Sequence, residues 1–465
     1  MWITCKFPFN METLDFQKFA SYSKPGPRYT SYPTAVEFGP HFQEADLIEA
    51  FDRSNPQIPL SLYFHLPFCK SACYFCACSV IYTNSQAKKE RYIIYLQKEL
   101  DLLKQYLDTK REVVQLHFGG GTPTFFNATQ LEIIIQSIYS LFSNFSSKAE
   151  LSCEIDPRHF TFEQMQVLKN QGFNRLSFGI QDFDPVVQRA VNRLQSFELV
   201  QEKVQWARDC GIHSINFDLI YGLPFQSIQS FEQTLLKVLK LDPDRLAVFN
   251  YAHVPWIKHT MKIDPKTLPS PEQKLELLQF LIAFLKDHGY EMIGMDHFAK
   301  KDNELYKALQ NKELRRNFQG YTTQKFSQTI GVGVTSIGEG LDYYTQNFKD
   351  LKHYEQALDN RHLPVERGIV LSAEDRLRKE VIMHLMNNLE IDFASIERAF
   401  NIDFKAHFKE ALKMLKPYEQ DGLLTLSDTG LKTSATGAML VRNIAMVFDS
   451  YLKTHQGEKR FSQTL

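Results

Sequence analysis

Short apolar runs alternate with longer amphipathic stretches from about residue 60 to residue 300, as expected of strands buried on both faces and joined by crossover helices. The predicted strands are Leu60–Leu66, Val113–Phe118, Leu151–Ile155, Arg175–Ile180, Ser214–Ile220, Leu246–Tyr251 and Glu291–Met295. Helical periodicity covers Lys88–Leu107, Ala128–Phe142, Phe162–Gln171, Phe197–Cys210, Ser230–Leu241 and Glu272–His288. This spacing suits parallel strands and predicts an α/β protein, a partial (β/α) barrel. Beyond about Asp342 the strand pattern stops, and Ala373–Asn388, Asp392–Phe400 and Phe404–Tyr418 read as amphipathic helices. Gly422–Asp428, Gly430–Ser434 and a helix over Ala438–Leu452 then resemble the wing of a winged helix; no basic stripe accompanies them, so no nucleic-acid partner is expected. The predicted organisation is an N-terminal segment 1–53 that covers the active site, a barrel core 54–345 and a small C-terminal helical domain 346–465.

Composition changes this picture only by exclusion. A chain of 465 residues is too long for one ordinary core, which agrees with a barrel plus a smaller unit. A net charge of −1 supplies no global field to attract nucleic acid or an anionic membrane, so a basic site must be local. No apolar run reaches the roughly 20 residues that span a bilayer. The start, with Met11 as an alternative to Met1, lacks the basic and apolar regions of a secretory signal. A soluble, cytoplasmic monomer without membrane partners is expected.

Four of the seven cysteines, Cys69, Cys73, Cys76 and Cys78, fall within ten residues, while Cys5, Cys153 and Cys210 are scattered. An odd, clustered set argues against a disulfide framework and for thiolates gathered at a metal. Three thiolates spaced C-x3-C-x2-C in a loop can each take one iron of a cubane cluster and leave the fourth iron open. Structural zinc is the plainer alternative, although it usually takes two separated pairs of ligands. In parallel barrels chemistry collects at the C-terminal strand ends. There the predicted strands carry the cysteines, then Gly119-Gly-Gly-Thr-Pro123, Glu154, Gln181 and Asp218 in turn. The glycine run is a tight turn that can offer backbone groups to a ligand.

Cys69-x3-Cys73-x2-Cys76, with the aromatic Phe75 before the third cysteine, resembles the signature of radical S-adenosylmethionine (SAM) enzymes. The resemblance implies a [4Fe–4S] cluster on Cys69, Cys73 and Cys76, whose unique iron chelates SAM and whose reduction releases a 5′-deoxyadenosyl radical. It gives Cys78 no ligand role, since three thiolates already suffice. It carries cofactor contacts onto Gly120, Gly121 and Thr122, onto Glu154, Gln181, Arg193 and Asp218, and onto Phe75 and Ala252. Tyr63 on the first strand is implied as both contact and catalytic residue, and Gln319 and Ile337 as contacts of a second SAM molecule. A carboxylate or amide there accepts hydrogen bonds from ribose hydroxyls or an ammonium, and an arginine fork suits a carboxylate.

Pro25-Gly-Pro-Arg-Tyr-Thr-Ser-Tyr-Pro-Thr34, Val248–His253, Gly294–Phe298, Arg316–Thr323 and the extra Cys78 resemble, within that superfamily, the oxygen-independent coproporphyrinogen III oxidases. The implied reaction converts two propionates of coproporphyrinogen III to vinyl groups. It yields protoporphyrinogen IX for heme biosynthesis with loss of carbon dioxide, and needs an electron donor and acceptor that the sequence does not identify. A substrate with four carboxylates calls for a local cationic rim, for which Lys24, Arg28, Arg315 and Arg316 are the candidates. A heme-binding, chaperone-like relative and another porphyrin-directed radical enzyme are the alternatives on this scaffold.

Overall fold

The computed structural model describes residues 21–256, 258–324, 326–453 and 460–464. Cys5 and the choice between Met1 and Met11 lie outside the described residues. Six parallel strands stand side by side in chain order: β1 Leu60–Leu66, β2 Val113–Gly120, β3 Phe145–Ile155, β4 Arg175–Gln181, β5 Ser214–Tyr221 and β6 Arg245–Asn250. Helices α1 Gln86–Tyr106, α2 Ala128–Leu141, α3 Phe162–Asn170, α4 Phe197–Asp209, α5 Ile228–Lys240 and α6 Pro271–Asp287 alternate with them. Their starts are written locally. Asn127 with Gln130, Thr161 with Gln164, Ser227 with Ser230 and Ser270 with Gln273 form reciprocal caps at α2, α3, α5 and α6.

Along β1, Leu60, Leu62, Phe64 and Leu66 are fully buried in the core beneath the helices. The alternate residues Ser61, Tyr63 and His65 turn to the opposite face, where Ser61 bonds Gln115 and Tyr63 stacks on His117. The first six predicted strands therefore stand, with their ends extended by a residue or more in most cases, and the expected partial barrel is the observed architecture.

The sheet departs from the expectation at both edges. The seventh predicted strand is β7 Tyr290–Gly294, but it is not the next parallel neighbour. It pairs with β8 His297–Lys300, which lies antiparallel against β6. Only Met295 and Asp296 separate β7 from β8, too few for a crossover, so a hairpin forms. At the other edge, β9 Gln328–Val332 pairs parallel with β1, and β10 Ile337–Glu339, β11 Tyr343–Asn347 and β12 Val365–Val370 follow antiparallel. The strand pattern thus runs on to Val370 instead of stopping near Asp342. These strands carry Gln, Thr, Tyr and Asn that are buried as hydrogen-bonding partners, as when Gln328 donates to Tyr343 at 2.9 Å, so they do not read as apolar runs.

The C-terminal region packs around a second core. Tyr29 and Tyr32 of the N-terminal segment join Val381, Leu385, Phe404 and Phe448 in it. Arg442 donates to the Gly26 carbonyl at 2.6 Å and Tyr29 to Asp449 at 2.8 Å, so the segment around Gly26–Tyr29 is tied to the C-terminal region. The predicted hairpin is present as Leu424–Leu426 against Gly430–Thr433, with Glu390–Asp392 as a third strand. The helix predicted over Phe404–Tyr418 is instead three short pieces, the last starting at Lys416 with Pro417 in its first turn, and Ala438–Leu452 is likewise broken into short turns. No helix among the described residues is long and apolar enough to cross a membrane.

Candidate active site

The C-terminal ends of β1 to β6 surround a cavity of about 470 Å³. Cys69, Cys73, Phe75, Cys76, Gly120, Gly121, Thr122, Glu154, Gln181, Arg193, Asp218 and Gln319 all line it. Of the remaining expected residues, Tyr63 lies behind that wall, stacked on the cavity-lining His117 with ring centres 5.8 Å apart. Ala252 lines a second, separate cavity. Ile337 packs beside Phe38 and Tyr344 at the outer sheet edge.

The cysteine loop is held from several sides. Its strand-like start Phe68–Cys69 pairs with Ile81–Tyr82, and the Cys69 Sγ lies 3.3 Å from Thr122 Oγ1. Gly121 runs against the same loop: a Cβ there would lie 2.5 Å from the Pro67 carbonyl oxygen. Gly120, at φ +116°, would bring a Cβ to 2.7 Å from the His65 ring. The glycine run is therefore required by the close approach of β2 to β1. His65 is fixed in turn between the Ser79 carbonyl, 2.9 Å from Nε2, and the Tyr63 hydroxyl, 3.0 Å from Nδ1. A ring that donates from Nε2 to Ser79 accepts from Tyr63 on Nδ1.

Two guanidinium groups flank the Cys73 sulfur, Arg158 at 3.5 Å and Arg193 at 3.6 Å. Asp156 holds both, at 2.7 Å and 3.1 Å. Burial alone would raise its carboxyl, but Arg193 and Arg158 together hold it well below the usual carboxylate range. Arg193 also donates to the Gly179 carbonyl at 2.7 Å, and its buried Nε has no partner among the described residues. Both arms of the fork expected to grip a carboxylate are thus engaged with the protein. Neither Asp156 nor Arg158 was singled out from sequence; the pointer available was that Asp156 immediately follows β3, two residues beyond Glu154.

Glu154 is the more open acid, its side chain 44% exposed, with one oxygen 3.2 Å from the Gly120 amide that donates to it. Across the cavity Asp218 accepts from Asn216 at 2.8 Å and Ser177 at 3.0 Å. Burial and then the Glu154 charge push Asp218 up to about 6. A polar floor closes the barrel below. Glu150 meets Arg175 at 3.1 Å and accepts from Gln115 at 2.9 Å and Thr323 at 3.1 Å, and Arg175 also meets Glu304 at 2.8 Å.

The thiols suit an iron–sulfur cluster. Burial pushes the Cys69 thiol up to about 12, whereas the Cys78 side chain holds Cys76 below its ordinary value. Among the described residues no three His, Cys, Asp or Glu side chains are grouped to hold one metal ion. A cluster, in which each thiolate takes its own iron, asks for wider spacing than a mononuclear zinc site. Of the proposed cationic rim, Lys24 and Arg28 line the second cavity, with Arg28 paired to Asp296 at 2.8 Å. Arg316 is buried and donates to the Arg28 carbonyl at 2.6 Å, so it supports the rim from behind, and Arg315 lines neither cavity.

Comparison with known proteins agrees with this geometry. The radical SAM superfamily model matches residues 63–238, and the HemN C-terminal domain model matches residues 371–440. The chain is 66% identical over 459 residues to the oxygen-independent coproporphyrinogen III oxidase of Helicobacter pylori strain J99, covering 98% of this chain and 100% of that protein. It is 45% identical over 452 residues to the enzyme of the same name from Escherichia coli K12, covering 97% and 98%. The solved structure described as coproporphyrinogen III oxidase (HemN) from Escherichia coli, a radical SAM enzyme, superposes with a TM-score of 0.88 at 45% identity, over 91% of this chain and 98% of that one.

Proposed function

The chain belongs to the oxygen-independent coproporphyrinogen III oxidases, and from that premise we propose that Cys69, Cys73 and Cys76 are the ligands of its [4Fe–4S] cluster. As a radical SAM oxidoreductase of heme biosynthesis it converts two propionates of coproporphyrinogen III to vinyl groups. Bound together, the cluster and SAM supply a carbon-centred radical that abstracts hydrogen.

The protein's own share is placement and exclusion of water. Arg158 and Arg193 set two positive charges beside the Cys73 sulfur. The Gly120–Thr122 turn and the open Glu154 carboxylate present acceptors and amides where the amino and carboxylate groups of SAM would lie. Asp218 and Gln181, farther round the same wall, suit the ribose hydroxyls. Arg193, with its fork engaged by Asp156 and Gly179, is left to meet a carboxylate through Nε and the remaining N–H groups. Tyr63, locked to His65, serves as a fixed aromatic wall beside the turn.

Gln319 shares the cofactor cavity, which supports its role beside a second SAM better than that of Ile337. All six described cysteines stand as free thiols, in keeping with a reducing, cytoplasmic setting. The convergence of all three cysteines on one cavity with the glycine turn carries the ligand reading. Anaerobic reconstitution of the cluster tests it, followed by assay with coproporphyrinogen III, SAM and a reductant. Loss of two carbon dioxide molecules per substrate is the expected outcome, and stoichiometric heme binding without turnover would replace this reading with that of a heme carrier.

A further inference from the structure

We propose that the second cavity seats the tetracarboxylate macrocycle, with Lys24 and Lys274 gripping the two propionates that survive the reaction. The inference rests on the oxidase reading above and adds to it the location and the anchoring residues.

This cavity, about 900 Å³, is walled by the N-terminal segment, by the chain leaving β6 and by the C-terminal region. Its size lies toward the upper end for small-molecule sites, as a four-pyrrole ring with eight substituents demands. The two cavities approach each other at the end of β6, where Phe249 lines the one and Asn250 the other. Arg28 spans the junction, its guanidinium 5.7 Å from the Phe249 ring centre and 3.4 Å from the Asn250 carbonyl oxygen. A ring seated here reaches the cofactor cavity with one edge while the rest stays outside it.

The charges sort themselves by whether they are already neutralised. Arg28 is paired with Asp296 and Arg460 with Glu37, at 2.8 Å and 3.0 Å. Lys24 and Lys274 face the cavity with no carboxylate partner among the described residues. Lys274 donates only to the Tyr251 carbonyl at 3.3 Å and stands in the first turn of α6, whose amide end adds positive potential. Burial lowers both lysines from their ordinary value, the mark of ammonium groups stripped of water without an anion in exchange. The centre of the macrocycle carries pyrrole N–H donors. Asn250 Oδ1, buried on the cavity wall without a hydrogen-bond partner, is a matching acceptor. Two of the four propionates lose their carboxylates during the reaction and two keep them, so two fixed cations hold the ring through both halves.

The test uses the full-length, cluster-loaded enzyme and coproporphyrin III, a stable fluorescent compound with the same carboxylate rim. Lys24→Gln and Lys274→Gln should each weaken its binding about tenfold, as expected for one charge-assisted hydrogen bond, and the double variant about a hundredfold. Lys274→Arg should stay within about threefold of wild type. The proposal is overturned if the double variant, with wild-type iron content and melting temperature, binds coproporphyrin III within about twofold of wild type. It is equally overturned if SAM binding falls while porphyrin binding holds, which would assign the cavity to a cofactor. Failure of the wild-type enzyme to form protoporphyrinogen IX would strike the oxidase reading instead, because the porphyrin titration needs no turnover.

Discussion

The two ends of the barrel handle charge in opposite ways. At the floor, buried Glu150 and half-buried Arg175 are paired with each other and with Gln115, Thr323 and Glu304, beside an Arg245 whose Nε has no partner among the described residues. At the mouth, Glu154 is nearly half exposed, Arg193 keeps an unpartnered Nε, and three thiols share one wall. Both ends border the same cavity, so exposure to a void does not by itself mark a functional group. What sets the mouth apart is an open carboxylate and three thiols gathered at the strand ends, and the difference predicts that substitutions at the floor cost stability while those at the mouth cost chemistry.

The sharpest break between the two is Cys73→Ala. Loss of one of the three proposed cluster ligands should abolish iron retention and SAM cleavage together, read by iron content and 5′-deoxyadenosine formation, whereas Cys78→Ser should keep both. At the floor, Arg175→Met should leave Glu150 without its cation and lower stability by about 3–5 kcal/mol, visible as a fall in melting temperature. An unchanged melting temperature there would erase the distinction between the ends. Back at the mouth, Arg193→Ala should weaken SAM binding about tenfold in a titration while iron content holds.

The smallest effect concerns Glu99, which lies outside the barrel on α1 and repeats the logic of the floor. It accepts from the Gly333 amide at 2.7 Å, Asn347 at 2.6 Å and Tyr354 at 2.6 Å, and burial raises it to about 7. A carboxyl whose folded value is raised contributes stability that is complete below its unfolded value of about 4.3 and is lost as pH rises through the folded one. Melting temperature should therefore decline between about pH 5 and pH 7, and Glu99→Gln should flatten that slope. A slope identical in the variant would remove Glu99 as its cause.

Much of this was legible in the chain. β1 to β6 and their helices announced themselves because each strand carries a short run of buried apolar residues on the side facing the helices and most of the helices open on side-chain caps. The cysteine spacing and the glycine run were legible for a different reason: they need particular residue types at fixed separations. β9 and β11 were not, since Gln328 and Asn347 are buried through hydrogen bonds with Arg111 and Glu99, remote in sequence. The floor escaped notice on the same ground. Glu150, Arg175 and Arg245 read as ordinary charges near strand starts until closure of the sheet brings them together with Glu304. Asp156 and Arg158 became visible only when folding set them beside Cys73 and Arg193.

The parallel pairing of β1 with β9 has a bearing on how the enzyme is made. β1 flanks the cysteine loop, yet its second neighbour is synthesised more than 250 residues later. A ribosome that has finished β6 has built most of the wall while that flank still lies bare, an open edge beside oxidisable thiols. The wall beside the cysteine loop is thus closed only once Gln328–Val332 has been made and has paired with β1.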